Sequence, residues 1–253
     1  MCIRDSNDTV CGISEQFQIV FEQAKNISEK TNHYFDPTVM PLVNAWGFGY
    51  DKPLSIPTNS QIDSLLEFTG VDKIQLDSNC VTKIHPNVQL DFSAIAKGYA
   101  SDIVANFLVN IGIKSMMVEI GGEVSCKGIK SKGEQWTIGV EKPDDKQHSV
   151  VLAVTVMDGS IATSGNYRNY FKADGKEYGH TIDPHTGKVA ETDMLSATVK
   201  AKTCLEADAY ATAFMAMGAK KSILLVNEMN DLEVFFLYKD KQSVKQYQSK
   251  GFE

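Results

Sequence analysis

The residues best suited to chemistry stand in one alanine-rich run of the 253-residue chain, T-C-L-E-A-D-A-Y-A-T-A, at residues 203–213. Asp208 and Thr212 are four residues apart in it, so on a helix their carboxylate and hydroxyl lie on the same face. The small neighbours leave room beside that face for a hard cation, and Mg²⁺ takes such oxygen ligands. An acid early in a helix can instead complement the positive end of the helix dipole. The run alone leaves both interpretations open.

A second run, L-D-F-S-A-I-A-K-G-Y-A at residues 90–100, places an acid and a base at the start of another helix. Ser93 can cap that helix, which would account for the polar residues without any ligand. The first turn otherwise carries small side chains, so a ligand or another backbone can approach while Asp91 and Lys97 supply charge. The G-G-E run at residues 121–123 allows backbone amides to face an anion, although such a pair is more often a plain turn.

Three loops carry further candidates. The run Y-G-H-T-I-D-P-H-T-G, at residues 178–187, contains His180, which could act as a general base, although a single loop histidine is more often a surface residue. The run A-T-S-G-N-Y-R, at residues 162–168, supplies hydroxyls and an arginine able to contact phosphate or a polar ring edge. Residues 46–49, W-G-F-G, put two aromatic faces on a flexible backbone that can stack on a ring system or equally close the edge of a core.

The hydrophobic periodicity predicts an α+β chain whose sheets are mixed and largely antiparallel, with packed helices, in one compact domain. Helices are expected at 10–27 (ending near 31), 60–68 and 93–111, then in the Asp208 helix up to 218 and at 220–228. Strands are expected at 73–76, 80–84, 88–92, 116–120, 136–141, 150–157, 196–201 and 232–238. The run at residues 183–187, D-P-H-T-G, has strong turn chemistry.

Composition excludes some classes of function. The net charge is −7, from 25 basic and 32 acidic residues, and no basic stripe is available for a nucleic acid. No apolar stretch approaches the length that spans a membrane. The five cysteines are far apart, odd in number and without a C-x-x-C pair, so they fit neither a zinc site nor a disulfide framework and are expected to be packing residues.

The start of the chain is expected to be atypical. Residues 1–6 resemble neither a signal peptide nor a strand, and a helix follows almost at once. We therefore expect residues 1–6 to be a non-native or disordered start and residues 7–253 to be a domain whose first strands are missing.

The chain resembles the ApbE family, the FAD:protein FMN transferases, in six runs that occur in the family's order: A-W-G-F-G, L-D-F-S-A-I-A-K-G-Y-A, V-E-I-G-G-E, I-A-T-S-G-N-Y-R-N-Y-F, H-T-I-D-P-H-T-G and A-D-A-Y-A-T-A. The resemblance covers nearly the whole chain. It implies a bacterial enzyme that cleaves the FAD pyrophosphate with Mg²⁺ and moves FMN onto a Ser or Thr hydroxyl of an acceptor protein, releasing AMP.

The same resemblance implies residue roles. Mg²⁺ would be bound by Asp208, Thr212 and the backbone carbonyl of Ala94. The catalytic residues would be Asp208 and His180, and either His180 or a nearby carboxylate would help to deprotonate the acceptor hydroxyl. The FAD site would comprise Trp46, Gly47, Phe48, Gly49, Asp91, Lys97, Thr163, His180, Thr181, Ile182 and Asp183.

The resemblance also implies surroundings and alternatives. The acceptor would be a subunit of a membrane redox complex, and the enzyme would work outside the cytoplasm, on the periplasmic side of the inner membrane. Family members carry an N-terminal segment and often an export signal or lipid-anchor cysteine, for which this chain shows no match. An FAD pyrophosphatase that releases FMN and AMP, and a flavin-binding protein without catalysis, remain as alternatives.

Overall fold

The computed structural model describes residues 8–50, 55–141, 149–165, 170–173 and 176–252. The described chain is α+β and its strands pair antiparallel, which confirms the predicted fold class. It divides into two compact units, residues 1–92 with 169–191 and residues 93–168 with 192–253. The assignment of residues 7–253 to one domain stays a prediction, and the expected atypical start at residues 1–6 lies outside the described residues.

The elements are numbered along the chain. The helices are α1 (Glu15–Lys30), α2 (Met40–Ala45), α3 (Asn59–Leu66), α4 (Ala96–Asn110), α5 (Cys204–Met217) and α6 (Ala219–Glu228). The strands are β1 (Thr9–Cys11), β2 (Ile74–Asp77), β3 (Cys80–Lys83), β4 (Met116–Ile120), β5 (Glu123–Lys127), β6 (Trp136–Glu141), β7 (Val150–Val156), β8 (Gly159–Gly165), β9 (Tyr170–Ala173), β10 (Lys176–Gly179), β11 (Ile182–Asp183), β12 (Lys188–Val189), β13 (Met194–Ala201), β14 (Glu233–Asp240) and β15 (Ser243–Gln248).

The first unit contains a three-stranded sheet in the order β1-β3-β2 and two short hairpins, β9–β10 and β11–β12. Its helix α1 buries Phe21, Ala24 and Ile27, the spacing expected of an amphipathic helix. The prediction that this helix starts at Val10 is wrong, because Val10 lies in β1. The helix begins after Ser14, whose hydroxyl accepts the Phe17 N–H at 3.2 Å, as an N-cap does.

Two of the cysteines overturn the expectation that all five are packing residues. Cys11 of β1 and Cys80 of β3 are direct cross-strand partners and form a disulfide. The disulfide could not be predicted from the sequence, because the two cysteines are 69 residues apart and only the strand register brings them together. Cys126 and Cys204 are buried free thiols, and burial raises the pKa of Cys126 to about 11, so for these two the packing interpretation is confirmed. Cys2 lies outside the described residues.

The strand predicted at residues 88–92 is also wrong. Val88, Leu90 and Phe92 are buried, so the alternation that indicated a strand is real. The segment is nevertheless a loop, and the Asp91 N–H donates at 2.6 Å to the carbonyl of Pro37, itself in a loop, so no strand ladder forms. Alternating burial records which side chains face a core, and it does not require a neighbouring strand.

The second unit is built on a six-stranded sheet in the order β15-β14-β13-β8-β5-β4. Helix α5 packs on one face, where Phe214 meets Phe236 with ring centroids 5.2 Å apart. The β6–β7 hairpin contributes Val140, Val154 and Val156 to a hydrophobic cluster with Phe235, on the opposite face. Strands β5 and β15 were not predicted, because their sequences E-V-S-C-K and S-V-K-Q-Y-Q are short and largely polar.

Helix α5 is enclosed by its neighbours. Eleven of its fourteen residues are buried, most of them small, so the helix can approach the surrounding elements closely. Among the helices of the described residues, none combines the length and apolarity needed to cross a lipid bilayer.

The disulfide yields a stability prediction. Because it closes a loop of 69 residues, its reduction is expected to lower the free energy of unfolding by about 4 kcal/mol on the chain-entropy scale. Urea unfolding with and without a phosphine reductant measures this. The double variant Cys11→Ser/Cys80→Ser is the control, and its midpoint should not respond to the reductant; equal midpoints for the native chain under both conditions would contradict the prediction.

Candidate active site

Asp208 lies in the second turn of α5, and its carboxylate does not cap that helix. Other side chains take the first N–H groups: Asp102 accepts from Cys204 and Leu205, both at 2.9 Å. The hydroxyl of Thr203 accepts the third, from Glu206, at 3.2 Å. With these N–H groups satisfied, the interpretation of Asp208 as a simple complement to the helix dipole loses its basis.

The carboxylate of Asp208 instead reaches a neighbouring helix. Its Oδ2 accepts the backbone N–H of Gly98 at 3.0 Å, in the first turn of α4. Gly98 is the third residue of α4, and the first N–H groups of a helix have no carbonyl partner within it. The Asp208 carboxylate satisfies one of them. Ala94, the third predicted ligand, lies in the turn that directly precedes α4.

Gly98 makes this approach possible. A Cβ built on it would stand 2.2 Å from the backbone oxygen of Cys204 and 2.9 Å from the Cβ of Asp208. Neither distance is tolerable, so no other residue fits without moving α4 away from α5. The reason for this glycine is close packing of two backbones, since the residue lies inside a helix and needs no unusual dihedral angle.

Thr212 is the second predicted ligand on the same helix face. Its hydroxyl lies 3.3 Å from the hydroxyl of Ser164 in β8. The adjacent Thr163 lies on the other face of the strand and pairs at 2.9 Å with Thr198 of β13. Of the two neighbouring hydroxyls, the one that meets the Asp208 helix is therefore Ser164, which sequence reasoning had not committed to the site.

Lys97 and Glu123 form an ion pair beside Asp208. The Lys97 ammonium contacts Glu123 Oε1, and 47% of the Lys97 side chain is accessible, whereas the Glu123 side chain is 4% accessible. Burial raises the pKa of Asp208, while the positive charge of Lys97 and the Gly98 N–H act in the opposite direction. Burial also raises the pKa of Glu123, with Lys97 opposing it and the negative charge of Asp208 adding to it. Two buried acids therefore share one lysine.

These residues fit a divalent cation. The donor set of one carboxylate, one hydroxyl and one backbone carbonyl consists of hard oxygen atoms, as Mg²⁺ prefers. Asp208 is 3% exposed, and such a buried carboxylate requires compensation by positive charge. The described residues contain no cluster of three or more His, Cys, Asp or Glu placed to hold a metal, so a cation here would depend on the mixed set and on phosphate oxygens.

The first unit holds the remaining predicted residues. Trp46 is 8% exposed, donates its indole N–H to the carbonyl of Gly187 at 2.8 Å and packs in one cluster with Ile182. In this unit Trp46 and Ile182 therefore pack in the core, and their predicted contact with FAD stays a prediction. Phe48 is only partly buried, and its ring meets that of His180 edge to face, with centroids 6.5 Å apart. Phe48 and His180 are thus brought together.

Asp183 orders the turn that follows His180. Its Oδ1 accepts the N–H of His185 at 3.0 Å and lies 3.2 Å from the ring Nδ1 of the same residue. The Gly187 N–H donates to the Asp183 carbonyl at 2.9 Å, which confirms the turn predicted at residues 183–187. Thr181 is 6% exposed, and its carbonyl accepts the N–H of Ala190 at 2.9 Å. These bonds position the His180 segment.

The chain matches the ApbE family model over residues 3–236. The chain belongs to the ApbE family. It is 39% identical over 241 residues to the FAD:protein FMN transferase of Vibrio cholerae, covering 95% of this chain and 72% of that protein. It is 37% identical to the protein of the same name in Salmonella typhimurium, covering 95% and 70%.

Solved structures of ApbE proteins agree with the fold. The flavin transferase ApbE from Vibrio cholerae has a TM-score of 0.88 at 36% identity, over 98% of this chain and 79% of that one. The apo form of the Pseudomonas stutzeri flavinyl transferase ApbE has a TM-score of 0.86 at 31% identity, over 97% and 76%. The ApbE fold is therefore the fold of this chain.

Sequence reasoning missed four residues around Asp208 that the structure brings in: Gly98, Asp102, Glu123 and Ser164. The G-G-E run was a signal for Glu123, and the small residues around Lys97 were a signal for Gly98. The A-T-S-G-N-Y-R run was a signal for Ser164, although it did not separate Ser164 from Thr163. Asp102 gave no signal, because its role depends on which elements pack together.

Close packing at Gly98 gives a second prediction. Gly98→Ala should lower the free energy of unfolding by roughly 1–3 kcal/mol, since the added methyl overlaps the backbone of Cys204. Urea unfolding followed by circular dichroism measures it. Asn106→Ala, on an exposed position of the same helix, is the control and should not be destabilised. A Gly98→Ala variant as stable as the wild type would contradict the packing account.

Proposed function

We propose that this chain is an FAD:protein FMN transferase. It would transfer the FMN moiety of FAD to a Ser or Thr hydroxyl of an acceptor protein, with AMP as the second product. The observation that carries the proposal is Asp208, a buried carboxylate that accepts the N–H of Gly98 at the start of α4 and shares its helix face with Thr212. Family membership and the names of the relatives support the same conclusion.

Asp208, Thr212 and the Ala94 carbonyl would bind Mg²⁺. When bound there, Mg²⁺ would offset the negative charge that develops on the phosphates as the pyrophosphate bond breaks. Lys97, whose side chain is about half exposed, would bind a phosphate oxygen from the same side. The acceptor oxygen forms the new bond to the FMN phosphorus, and AMP leaves with the former bridging oxygen.

The acceptor hydroxyl must lose its proton in this reaction. We assign that step to His180, whose ring is held against Phe48 and whose segment is fixed by the turn at residues 183–187. A neutral imidazole can take the proton at one ring nitrogen near neutral pH. Phe48 itself would lie near the flavin, as the family resemblance implies.

The decisive experiment uses the purified chain with FAD, Mg²⁺ and a flavin-acceptor protein fragment. Products are read as in-gel flavin fluorescence of the acceptor and as released AMP. Asp208→Asn keeps the size of the side chain but removes the charge, so the rate of transfer should fall by at least about 100-fold. Even residues that only hydrogen-bond to a metal ligand change metal affinity or activity by about 10- to 100-fold when they are mutated. EDTA should abolish labelling in the wild type.

The matched control is Asp63→Asn, an exposed helical acid, which should transfer FMN at the wild-type rate. Full labelling by Asp208→Asn would contradict the assignment of the cation site. AMP and free FMN without a labelled acceptor would favour an FAD pyrophosphatase, and bound FAD that stays intact would favour a flavin-binding protein.

A separate prediction concerns His180. His180→Ala should lower the transfer rate by about 10²- to 10⁴-fold, the usual contribution of a general base, while Mg²⁺-dependent binding of FAD persists. The rate is measured in single-turnover labelling and binding by quenching of flavin fluorescence. His185→Ala, five residues further along the same loop, is the comparison variant. Wild-type transfer by a folded His180→Ala protein would remove the residue from the mechanism.

We further propose that the enzyme works outside the cytoplasm on a subunit of a membrane redox complex. The disulfide between Cys11 and Cys80 supports this, because such bonds persist in oxidising compartments. Peptide mapping of the protein from fractionated cells tests it. A Cys11–Cys80 linked peptide in the periplasmic fraction is expected, and reduced protein found only in the cytoplasm would contradict it.

A further inference from the structure

Glu123 has one carboxylate oxygen that the described structure leaves unsatisfied. Its Oε1 binds Lys97, but its Oε2 is buried and has no hydrogen-bond partner among the described residues. Buried polar atoms are satisfied in the great majority of native structures, and an exception points to an ion, a water or a role in chemistry. The residue as a whole is 3% exposed, so bulk water does not solvate this oxygen.

The backbone holds the Glu123 side chain in place. Glu123 begins β5 directly after Gly121 and Gly122, whose φ angles of +64° and +102° turn the chain sharply. The carbonyl of Glu123 accepts the hydroxyl of Ser101 at 2.9 Å, one turn after Lys97 in α4. A Cβ on Gly121 would lie 3.5 Å from Glu123 Oε2 and 3.3 Å from Lys97 Cδ, so the turn covers the ion pair.

The charges around Asp208 do not balance without a cation. Among the described residues, Asp208 and Glu123 contribute two negative charges when ionised and Lys97 contributes one positive charge. Asp102, whose carboxylate accepts the N–H groups of Cys204 and Leu205, adds a further acid. The carboxylates are close enough for the charge of Asp208 to act on Glu123. A buried unpaired charge is costly, so this group favours binding of a positive ion.

We propose that Glu123 is a positioning residue of the cation site, and that its Oε2 supplies the second negative charge that holds the divalent cation bound by Asp208. This inference rests on the proposed function, because it assumes the cation at Asp208. Its Oε1 at the same time holds the Lys97 ammonium in place. Glu123 thereby sets both the cation affinity and the position of the Lys97 ammonium.

The test measures Mn²⁺ binding to the full chain without FAD, from the electron paramagnetic resonance signal of free Mn²⁺. Glu123→Gln removes the charge and keeps an oxygen that can face Lys97, so the Mn²⁺ dissociation constant should rise by about 10- to 100-fold. Glu123→Asp keeps the charge, but its shorter side chain moves the carboxylate away from the cation. Its affinity for Mn²⁺ should therefore lie between those of Glu123→Gln and the wild type. Glu119→Gln, an exposed acid of the neighbouring β4, is the matched control and should bind as the wild type does.

A double-variant cycle separates a direct effect of Glu123 from one exerted through Lys97. Lys97→Met removes a repulsive charge and should tighten Mn²⁺ binding. If Glu123 acts on the cation itself, adding Glu123→Gln to Lys97→Met weakens binding again. If the double variant binds Mn²⁺ as Lys97→Met does, Glu123 acts only through the lysine and the proposal is overturned.

The remaining outcomes are equally decisive. Wild-type affinity in folded Glu123→Gln overturns the proposal, and so does wild-type affinity in Glu123→Asp if Glu123→Gln fails to fold. Asp208→Asn in the same assay distinguishes failure of the role of Glu123 from failure of the cation site at Asp208. If Asp208→Asn loses Mn²⁺ and Glu123→Gln does not, only the role of Glu123 fails; if Asp208→Asn retains Mn²⁺, the cation site of the proposed function fails as well.

Discussion

The contact between Asp208 and the backbone of Gly98 is the interaction on which the candidate site depends. A carboxylate oxygen of one helix takes an N–H from the first turn of another, at 3.0 Å, and only a glycine lets the two backbones come that close. The contact fixes the carboxylate and satisfies one of the N–H groups that the start of α4 leaves without an intrahelical partner. The same contact therefore joins the two helices and positions the carboxylate that would bind the cation.

The neighbouring elements support this contact. Asp102 of α4 accepts two N–H groups at the start of α5, and Ser101 of α4 donates its hydroxyl to the Glu123 carbonyl at the start of β5. The cost of burying Asp208 and Glu123 is offset in part by Lys97, the basic group to which both respond. The negative charge that Lys97 does not offset favours the binding of a cation. A bound cation would in turn compensate the two acids beside the packed helix.

Much of the fold could be predicted because most helices and strands carry their signals in their own local sequence. Helices α3 to α6 and strands β2 to β4, β6, β7, β13 and β14 lie close to where periodicity, caps and turns placed them. Three of the failures share a cause: β1, the loop at residues 88–92 and the Cys11–Cys80 disulfide depend on pairings between distant segments. Periodicity reports burial, but it does not report which strand, if any, lies alongside.

The site divides in the same way. The pair Asp208 and Thr212 could be found from helical spacing, whereas the choice of Ser164 over Thr163 depends on which face of β8 meets α5. Trp46 could be assigned to a ring-binding loop or to a core from its sequence, and its packing in the core became visible only through its indole hydrogen bond and its contact cluster with Ile182. Residue types restrict the chemistry, and long-range packing selects the atoms that perform it.

The central claim is that Asp208, Thr212 and the Ala94 carbonyl together bind a divalent cation. The most direct measurement is the anomalous scattering of Mn²⁺ in crystals of this chain grown with MnCl₂ and FAD. The account predicts one strong anomalous peak within bonding distance of Asp208, Thr212 and the Ala94 oxygen. A map with FAD bound and the Mn²⁺ peak elsewhere, or without any peak at these three atoms, would contradict it.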